Sequence, residues 1–296
     1  MKSVPFEYAR PTSLEAACQL LAEDEDSVIL AGGQTLIPML AMRLARPTRL
    51  VDISRIDGLS GIEERANDIT IGCMTRHAEV ERSAVIAARL PLLAAAMPWV
   101  GHAPIRARGT VGGSLANADP SAEIALVLVT LDGSLTLTSV RSERTVRARD
   151  FFAGPMMTTI APGECLTAAH LPVSPAKRTG IGFGEIASRR SDFAIVAAAA
   201  QLTLDESDTC TACTVGVGGV TDTPLALTEL ADMLVGTSLE DGAVALAART
   251  ATKDLRAMSD PHASAAYRTR AAAKLVADAI IAARQDAVQH GGGDTR

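Results

Sequence analysis

The sequence predicts an α+β protein in which a two-part α/β unit is followed by a C-terminal domain of antiparallel sheet plus helices. Three observations predict this class: apolar strand-like runs alternate with helix-like runs in the N-terminal half; strand-like runs follow one another directly between residues 181 and 220; and an alanine-rich helical stretch closes the chain. With 296 residues, 48% of them apolar, several cores can form. The expected divisions are subdomains 1–60 and 61–176, a C-terminal domain 177–288 and a disordered tail 289–296.

The first subdomain is predicted to run from helix to strand, glycine loop, helix and strand. Thr12 and Glu15 have the spacing of a capping box, and apolar residues then recur at helical intervals. Residues 28–30 form a short apolar run typical of a buried strand. Pro38 falls in the first turn of the next helix, where its missing N–H costs little. The sequence LVDI at residues 50–53 predicts the following strand.

The second subdomain combines shorter strands with helices. Residues 69–71 alternate as a strand does, and residues 83–97 carry a helical pattern. A second helix is expected at residues 121–131, with a strand at residues 135–137. The stretch LPVSPAKRTG, residues 171–180, contains two prolines, a glycine and two basic residues, which indicates a linker to the next domain.

The C-terminal domain is predicted to contain three consecutive strands and then helices. The strands are expected near residues 181–187, 194–204 and 213–220. The final helix carries apolar residues on one face between residues 275 and 283. The last residues, HGGGDTR, are expected to be disordered.

The composition excludes several classes of function. The formal net charge is −6, which is unlike a basic nucleic-acid-binding surface, and aromatic residues make up only 3%, too few for base-stacking platforms. The N-terminal sequence lacks the apolar region of a signal peptide, and no apolar run could cross a bilayer. Five scattered cysteines do not form a disulfide framework. We therefore expect a cytoplasmic protein with no nucleic-acid partner and no membrane insertion.

Two glycine-rich loops carry the clearest functional signal. The first, AGGQT at residues 31–35, follows the buried strand and leads into a helix; the second is RGTVGGSLANADP at residues 108–120. A strand that passes through glycines into a helix exposes free N–H groups, and the helix dipole favours an anion there by about 0.3–1 kcal/mol. Neither loop has the spacing of the dinucleotide or triphosphate motifs. Each alone is open to the alternative of an ordinary tight turn, but together they predict a ligand with two phosphates.

These loops also carry a family resemblance. The stretches AGGQTLIPMLAMRLARPTRLVDISRI and RARGTVGGSLANADPSAE resemble the FAD-binding medium subunit of the molybdenum hydroxylases, the family of aerobic carbon monoxide dehydrogenase and xanthine dehydrogenase. The resemblance continues through GECLTAAHLP and GFGEIASRRSDFAIVAAAAQL to YRTRAAAKL, and so covers nearly the whole chain. It implies a two-part FAD-binding domain of the PCMH type.

The resemblance also implies a set of cofactor-binding residues. The first loop would wrap the pyrophosphate of FAD, the second would form another cradle, and acidic and apolar positions further along would contact the rest of the cofactor. These positions are Ala31, Gly32, Gly33, Gln34, Thr35 and Leu36, then Thr110, Gly112, Gly113, Ser114, Asn117, Asp119 and Glu123, and finally Leu166 and Phe193. No residue is expected to act as a catalytic acid, base, nucleophile or metal ligand.

Two positions depart from the family pattern. The family often has a tyrosine in the stretch RSDFA, where this chain has Phe193, which cannot form a hydrogen bond through a hydroxyl group. A related enzyme type carries a lysine where Glu185 aligns, so no role is transferred to Glu185. Both departures bear on the flavin potential or on the choice of electron acceptor.

The function implied by the resemblance is electron transfer within a larger oxidoreductase. A large subunit would hold a molybdenum–pterin cofactor, and a small subunit would carry two [2Fe-2S] clusters. This chain would hold FAD non-covalently, take electrons from the nearer cluster and pass them to an external acceptor. The assembly would be a dimer of heterotrimers. The chain itself has neither the cysteine spacing nor enough cysteines for two clusters.

Two other functions compete with this prediction. A free-standing FAD-dependent oxidase or reductase of the same fold would need an acid or base in its C-terminal domain, and no convincing candidate is present there. A binding or assembly module that has lost FAD would not need the intact sequences AGGQT and TVGGS. The substrate of the complex and the acceptor of its electrons are not determined by this chain.

Overall fold

The computed structural model describes residues 2–291. Its strands are β1 (Glu7–Ala9), β2 (Ser27–Leu30), β3 (Arg49–Asp52), β4 (Ile62–Glu64), β5 (Asp68–Gly72), β6 (Ser134–Thr138), β7 (Glu143–Arg147), β8 (Phe152–Gly154), β9 (Met157–Thr158), β10 (Cys165–Pro172), β11 (Thr179–Ala187), β12 (Ala194–Leu204), β13 (Cys210–Gly218) and β14 (Leu225–Ala226). Its α-helices are α1 (Leu14–Glu23), α2 (Leu36–Ala41), α3 (His77–Arg82), α4 (Ala84–Arg89), α5 (Pro91–Ala96), α6 (Ala103–Arg106), α7 (Val111–Asn117), α8 (Glu123–Thr130), α9 (Ala148–Phe151), α10 (Thr228–Leu234), α11 (Asp241–Thr252) and α12 (Ala265–Gly291).

The first subdomain is built on a parallel three-stranded sheet in the order β1-β3-β2. Strand β3 pairs with both neighbours, so that Leu50 lies opposite Tyr8 on one side and Val28 on the other. The two strands predicted here are present, but β2 is not the buried strand expected: none of its residues is buried and Val28 is exposed, because β2 lies at the edge of the sheet. Strand β1 was not predicted, because its three residues are mostly exposed and show no apolar pattern. Helix α1 is capped by Ser13, whose hydroxyl accepts a hydrogen bond from the Ala16 N–H at 3.2 Å, rather than by Thr12.

The second subdomain contains an antiparallel five-stranded sheet in the order β4-β5-β10-β6-β7. The central strands turn Ile69, Ile71, Leu135 and Leu137 into the N-terminal core, which the helices between β5 and β6 cover. The opposite face is polar. There the His170 ring lies between two threonine hydroxyls of neighbouring strands. A small β8–β9 hairpin is separate from this sheet.

Residues 83–97 do not form the single helix that their pattern predicted. Helix α4 ends at Arg89 and α5 begins at Pro91, with Leu90 in a non-helical conformation between them. A proline ring clashes with the preceding helical turn and supplies no N–H, so the helix breaks and Pro91 takes the first position of a new one. A short 3₁₀ turn, Met97–Trp99, follows.

The C-terminal domain is an antiparallel sheet in the order β11-β12-β13-β14 with helices on one face. The long helix α12 lies so close to β11 that a Cβ on Gly180 would be 2.1 Å from the Ala283 carbonyl oxygen. The opposite face of the sheet packs on α5 and α8 of the second subdomain, and Ala197 and Ala199 of β12 belong to the N-terminal core. The two units therefore share buried surface.

The boundaries of the last elements differ slightly from the prediction. Strand β12 spans the predicted residues, whereas the linker is shorter, since β10 continues to Pro172 and β11 begins at Thr179. Helix α12 runs to Gly291 and so extends past the expected start of the tail at residue 289; residues 292–296 lie outside the described residues. Within residues 2–291, no helix is both long and apolar enough to cross a membrane.

Candidate functional site

The two glycine loops lie against each other. A Cβ on Gly32 would be 2.5 Å from the carbonyl oxygen of Arg108 and 2.9 Å from the Cα of Gly109. Further along, a Cβ on Gly113 would lie 3.8 Å from the Cβ of Ala31. The absence of a side chain at Gly32 therefore allows the backbones to meet. Loops that are almost 80 residues apart in sequence form one site.

The first loop presents a row of free backbone donors. In the described part of the chain, no hydrogen-bond acceptor faces the N–H groups of the consecutive residues Gly32, Gly33, Gln34, Thr35 and Leu36. The first bond of helix α2 runs from the Ile37 N–H to the Gly33 carbonyl. Gly33 has φ +71°, a left-handed conformation that glycine adopts without strain. Successive N–H groups of this kind form a concave site for an anion.

The second loop is held as an extra strand-like segment. It pairs with residues 73–77, which follow β5, through backbone hydrogen bonds. These run from the Gly112 N–H to the Cys73 carbonyl (2.8 Å), from the Val111 N–H to the Thr75 carbonyl (3.0 Å) and from the His77 N–H to the Gly109 carbonyl (3.0 Å). A Cβ on Gly112 would lie 2.5 Å from the Cβ of Cys73, so this glycine is needed for the close approach of two backbones.

The second loop consequently offers different groups from those expected. The Thr110 hydroxyl caps helix α7 by accepting a hydrogen bond from the Gly113 N–H at 3.1 Å. The Ser114 N–H bonds to the Thr110 carbonyl. The N–H groups of Gly112 and Gly113 are therefore used inside the protein. What this loop can give a ligand is close backbone approach and the hydroxyl of Ser114, because Thr110 is buried and its hydroxyl caps the helix.

A buried histidine, His77, packs against Gly109 of the second loop. His77 is 5% exposed, and a Cβ on Gly109 would lie 2.8 Å from its Nδ1. Neither ring nitrogen has a well-aligned hydrogen bond among residues 2–291, and only the Thr110 backbone approaches the ring closely enough to oppose the effect of burial. Burial lowers the pKa of His77 to about 4, and the positive charges of Arg106 and Arg76 act in the same direction. The ring is therefore neutral at physiological pH.

Three acidic side chains, one in the second loop and two beyond it, have raised pKa values. Asp119 accepts a hydrogen bond from the Ser121 N–H at 2.9 Å, and burial raises its pKa. Glu123, the first residue of α8, is 8% exposed; burial raises its pKa to about 7, and the charge of Asp119 adds to the effect. Glu185 on β11 has its pKa raised to about 8 by burial and then by the charge of Glu123. The charge of Asp119 thus raises the pKa of Glu123, and the charge of Glu123 raises that of Glu185, a residue to which no role had been given.

The three remaining residues predicted to contact the cofactor, Asn117, Leu166 and Phe193, differ in how far they are exposed to solvent. Asn117 ends helix α7, and its side-chain amide approaches the Met156 sulfur at 3.9 Å. Leu166 on β10 is 5% exposed and packs in the N-terminal core, while Phe193, in the loop before β12, is 72% exposed. The contacts of these three residues with a cofactor stay predictions. Among the described residues, no group of three His, Cys, Asp or Glu side chains is arranged to hold a metal ion.

Comparison with known proteins identifies the family. The FAD binding domain in molybdopterin dehydrogenase matches residues 4–174, and the C-terminal domain of the CO dehydrogenase flavoprotein matches residues 182–283. The chain belongs to the FAD-binding subunits of the molybdenum hydroxylases. The PCMH-type resemblance seen in the sequence is thereby confirmed, as is the α+β fold with a separate C-terminal domain. The protein is an oxidoreductase subunit, and its cofactor is FAD.

Individual relatives of this FAD subunit match it over nearly their full length. The nicotine 6-hydroxylase medium subunit of Paenarthrobacter nicotinovorans is 38% identical over 96% of this chain and 99% of its own. The carbon monoxide dehydrogenase medium chain of Afipia carboxidovorans is 36% identical over 94% and 96%. A crystal structure of cyanide-inactivated Cu,Mo-CO dehydrogenase contains a chain with a TM-score of 0.93 at 36% identity, over 97% of this chain and 100% of that one. The chain is therefore a medium subunit of an enzyme of this class.

The residues of the FAD subunit fit the cofactor at its charged end. The row of free N–H groups from Gly32 to Leu36 has the donors that a pyrophosphate requires, and the second loop lies directly beside this row. Sequence reasoning did not predict that residues 73–77 and Gly109 hold the second loop in place. Their role depends on a pairing between distant segments, and no local pattern in the sequence signals it.

Proposed function

We propose that this chain holds FAD non-covalently at its two glycine loops and transfers electrons within a molybdenum hydroxylase. Electrons would arrive from a small subunit with two [2Fe-2S] clusters and leave to an external acceptor. A large subunit with a molybdenum–pterin cofactor would carry out the hydroxylation. The observation that carries the proposal is the row of five free N–H groups, because a ligand with a pyrophosphate supplies the acceptors that they lack.

Each part of the site has a distinct task in this proposal. The first loop binds the pyrophosphate through N–H groups of Gly32 to Leu36, supported by Ala31. Ser114 adds a hydroxyl donor, the buried Thr110 fixes the start of α7 beside it, and Gly112 and Gly113 let the second loop come close. Asn117, Asp119 and Glu123 follow on the same segment and would contact the remainder of the cofactor, with Leu166 and Phe193 near the ring.

FAD supplies the redox chemistry, since a flavin can accept electrons singly and release them as a pair. The protein positions the cofactor and sets the charge around it. No residue of this chain is proposed to act as an acid, base or nucleophile on a substrate. The substrate would be met on the large subunit.

Purification of the native complex tests the proposal. We expect this chain to elute with an iron–sulfur chain and a molybdenum chain, as a dimer of heterotrimers from the cytoplasmic fraction, with one FAD for each medium subunit. Acid or heat should release the FAD, because the attachment is non-covalent. A chain that elutes alone and reduces its flavin with a small substrate would instead be a free-standing oxidoreductase.

A further inference from the structure

Two cysteines of the C-terminal sheet share one face of strand β13. In a regular strand, residues three positions apart point to opposite faces, so Cys210 and Cys213 would point away from each other. The pairing of β13 with β12 shows a different arrangement. Cys213 lies opposite Leu202, and Cys210 lies opposite Leu204, two positions further along β12. Residues two positions apart share a face, so the two cysteines share it as well.

A β-bulge at Thr211 produces this arrangement. Ala212 and Cys210 lie opposite adjacent residues of β12, so that Thr211 between them is an extra residue in the ladder. The burial pattern agrees, because Thr211 and Ala212 are both exposed, whereas Cys210 is buried and Cys213 is half-buried. Cys210 belongs to the core of the C-terminal domain, and Cys213 packs against it.

The bulge brings the two sulfur atoms close to each other. A strand rises about 3.3 Å per residue, so residues that lie opposite positions two apart have Cα atoms separated by about 6.6 Å. A disulfide joins cysteines whose Cα atoms are about 4.4–6.8 Å apart. In agreement with this proximity, a hydrogen bond from the Cys213 thiol lowers the pKa of Cys210, although burial acts against it. Both thiols are free in the structure.

The pair lies towards the accessible end of its strand. Strand β14 pairs with β13 at Gly216 and Val217, away from the two cysteines. Residues 205–208, which precede β13, form an exposed turn. Strand ends beside such turns open locally at a low free energy, so a small oxidant can reach the pair. The other three cysteines are buried in the N-terminal core: Cys18, Cys73 and Cys165.

We propose that Cys210 and Cys213 are a modification site, which a peroxide oxidises to a reversible disulfide within strand β13. The geometry that carries this inference lies entirely in the C-terminal sheet. The inference therefore goes beyond the proposed function and does not depend on FAD binding. In a reducing compartment such a disulfide is transient and responds to the redox state of its surroundings.

The oxidation takes place in two steps with hydrogen peroxide as the oxidant. One thiol, as its thiolate, attacks a peroxide oxygen; the O–O bond breaks, the hydroxide that leaves takes up the thiol proton as water, and a sulfenic acid forms. The second thiol attacks this sulfur, the S–S bond forms, and the sulfenic hydroxyl group leaves with the second thiol proton as water. Two thiols lose two electrons, and one peroxide is reduced to two waters.

The test is treatment of the folded full chain with hydrogen peroxide, followed by unfolding in an alkylating reagent and digestion with trypsin. Peptide 191–249 contains both cysteines of the pair and no others. We expect this peptide to lose two hydrogen atoms and to take up no alkyl group, and dithiothreitol should restore both thiols. Fragmentation distinguishes this change from oxygen gained by the exposed Met233. A peptide in which both cysteines are still alkylated, or in which a cysteine carries oxygen without a disulfide, would overturn the inference.

Variants test whether the bulge is responsible. Cys213→Ser removes one thiol and should abolish the disulfide. Adding Ala212→Cys to this variant restores a second thiol, which is nearer to Cys210 in sequence and exposed, but lies on the other face of the strand. We expect the double variant to form its disulfide at least about tenfold more slowly than the wild type, because the two side chains point apart. Equal rates would overturn the inference, since closeness in sequence would then explain the reaction. The wild-type measurement decides the inference even if a variant does not fold.

Discussion

At the scale of single residues, the second glycine loop depends on side chains that hold it in place. Thr110 is buried, and its hydroxyl accepts a hydrogen bond from the Gly113 N–H at the start of α7. We expect Thr110→Ala to lower the free energy of unfolding by about 1 kcal/mol, the usual cost of a lost helix cap. Thr110→Ser keeps the hydroxyl and should be close to wild type. Urea denaturation of the two variants checks this, and equal stability of the two would contradict it.

His77 makes the stability of the protein depend on pH. Folding lowers its pKa from the usual value of about 6.5 to about 4. Between these pH values the unfolded chain binds the proton more tightly, so acidification favours unfolding. His77→Phe fills a similar space without a titrating group. We expect the stability of the wild type relative to this variant to fall by about 2 kcal/mol from pH 7 to pH 5.

Denaturant titrations at both pH values measure this difference. Other titrating groups are common to both proteins and cancel in the comparison. A difference between wild type and variant that stays constant from pH 7 to pH 5 would show that His77 is not held in its neutral form by burial.

At the scale of secondary-structure elements, the contact between β11 and α12 depends on glycine. A Cβ on Gly182 would lie 2.0 Å from a backbone carbonyl oxygen of α12, whereas a Cβ on Gly184 would meet only the Leu275 side chain at 3.6 Å. We expect Gly182→Ala to lower the free energy of unfolding by about 1–3 kcal/mol, because helix and strand must move apart. Gly184→Ala, on the same strand and the same face, should change stability by less than 1 kcal/mol. Thermal unfolding of both variants makes the comparison, and similar melting temperatures would contradict the assigned packing.

The elements also show which parts of the fold can be predicted from sequence. Residues 194–204 form the predicted strand although four consecutive alanines favour a helix, because this segment pairs on both sides, with β11 and β13. The helix predicted at residues 83–97 is broken at Pro91, where a local steric rule overrides the apolar periodicity. Strand β1 has no local signal and exists because β3 offers it an edge. The free N–H row of the first loop follows from the sequence AGGQT, but the internal hydrogen bonds of the second loop depend on segment 73–77.

At the scale of the whole molecule, the two units are joined through a common core. Alanines of β12 are buried with residues of the FAD-binding unit, and the same face of the C-terminal sheet carries Glu185. The domain boundaries expected from sequence, with subdomains 1–60 and 61–176, stay predictions about how the chain divides. The C-terminal domain thus packs against the FAD-binding unit. It also contributes an acidic side chain, Glu185, whose pKa is raised by the charge of Glu123.

The most direct test of the account is the FAD content of the purified full chain with and without the contact between the glycine loops. Gly32→Ala places a methyl group where only 2.5 Å separates it from the Arg108 carbonyl oxygen, so the loops must separate. Gly242→Ala, where a Cβ would meet no atom within 4 Å, is the matched control. We predict about one FAD per chain in the wild type and the control, and at least a tenfold lower affinity for FAD in Gly32→Ala with the fold retained, as judged by circular dichroism. Full FAD occupancy in Gly32→Ala would contradict the central claim that FAD is held where the two loops meet.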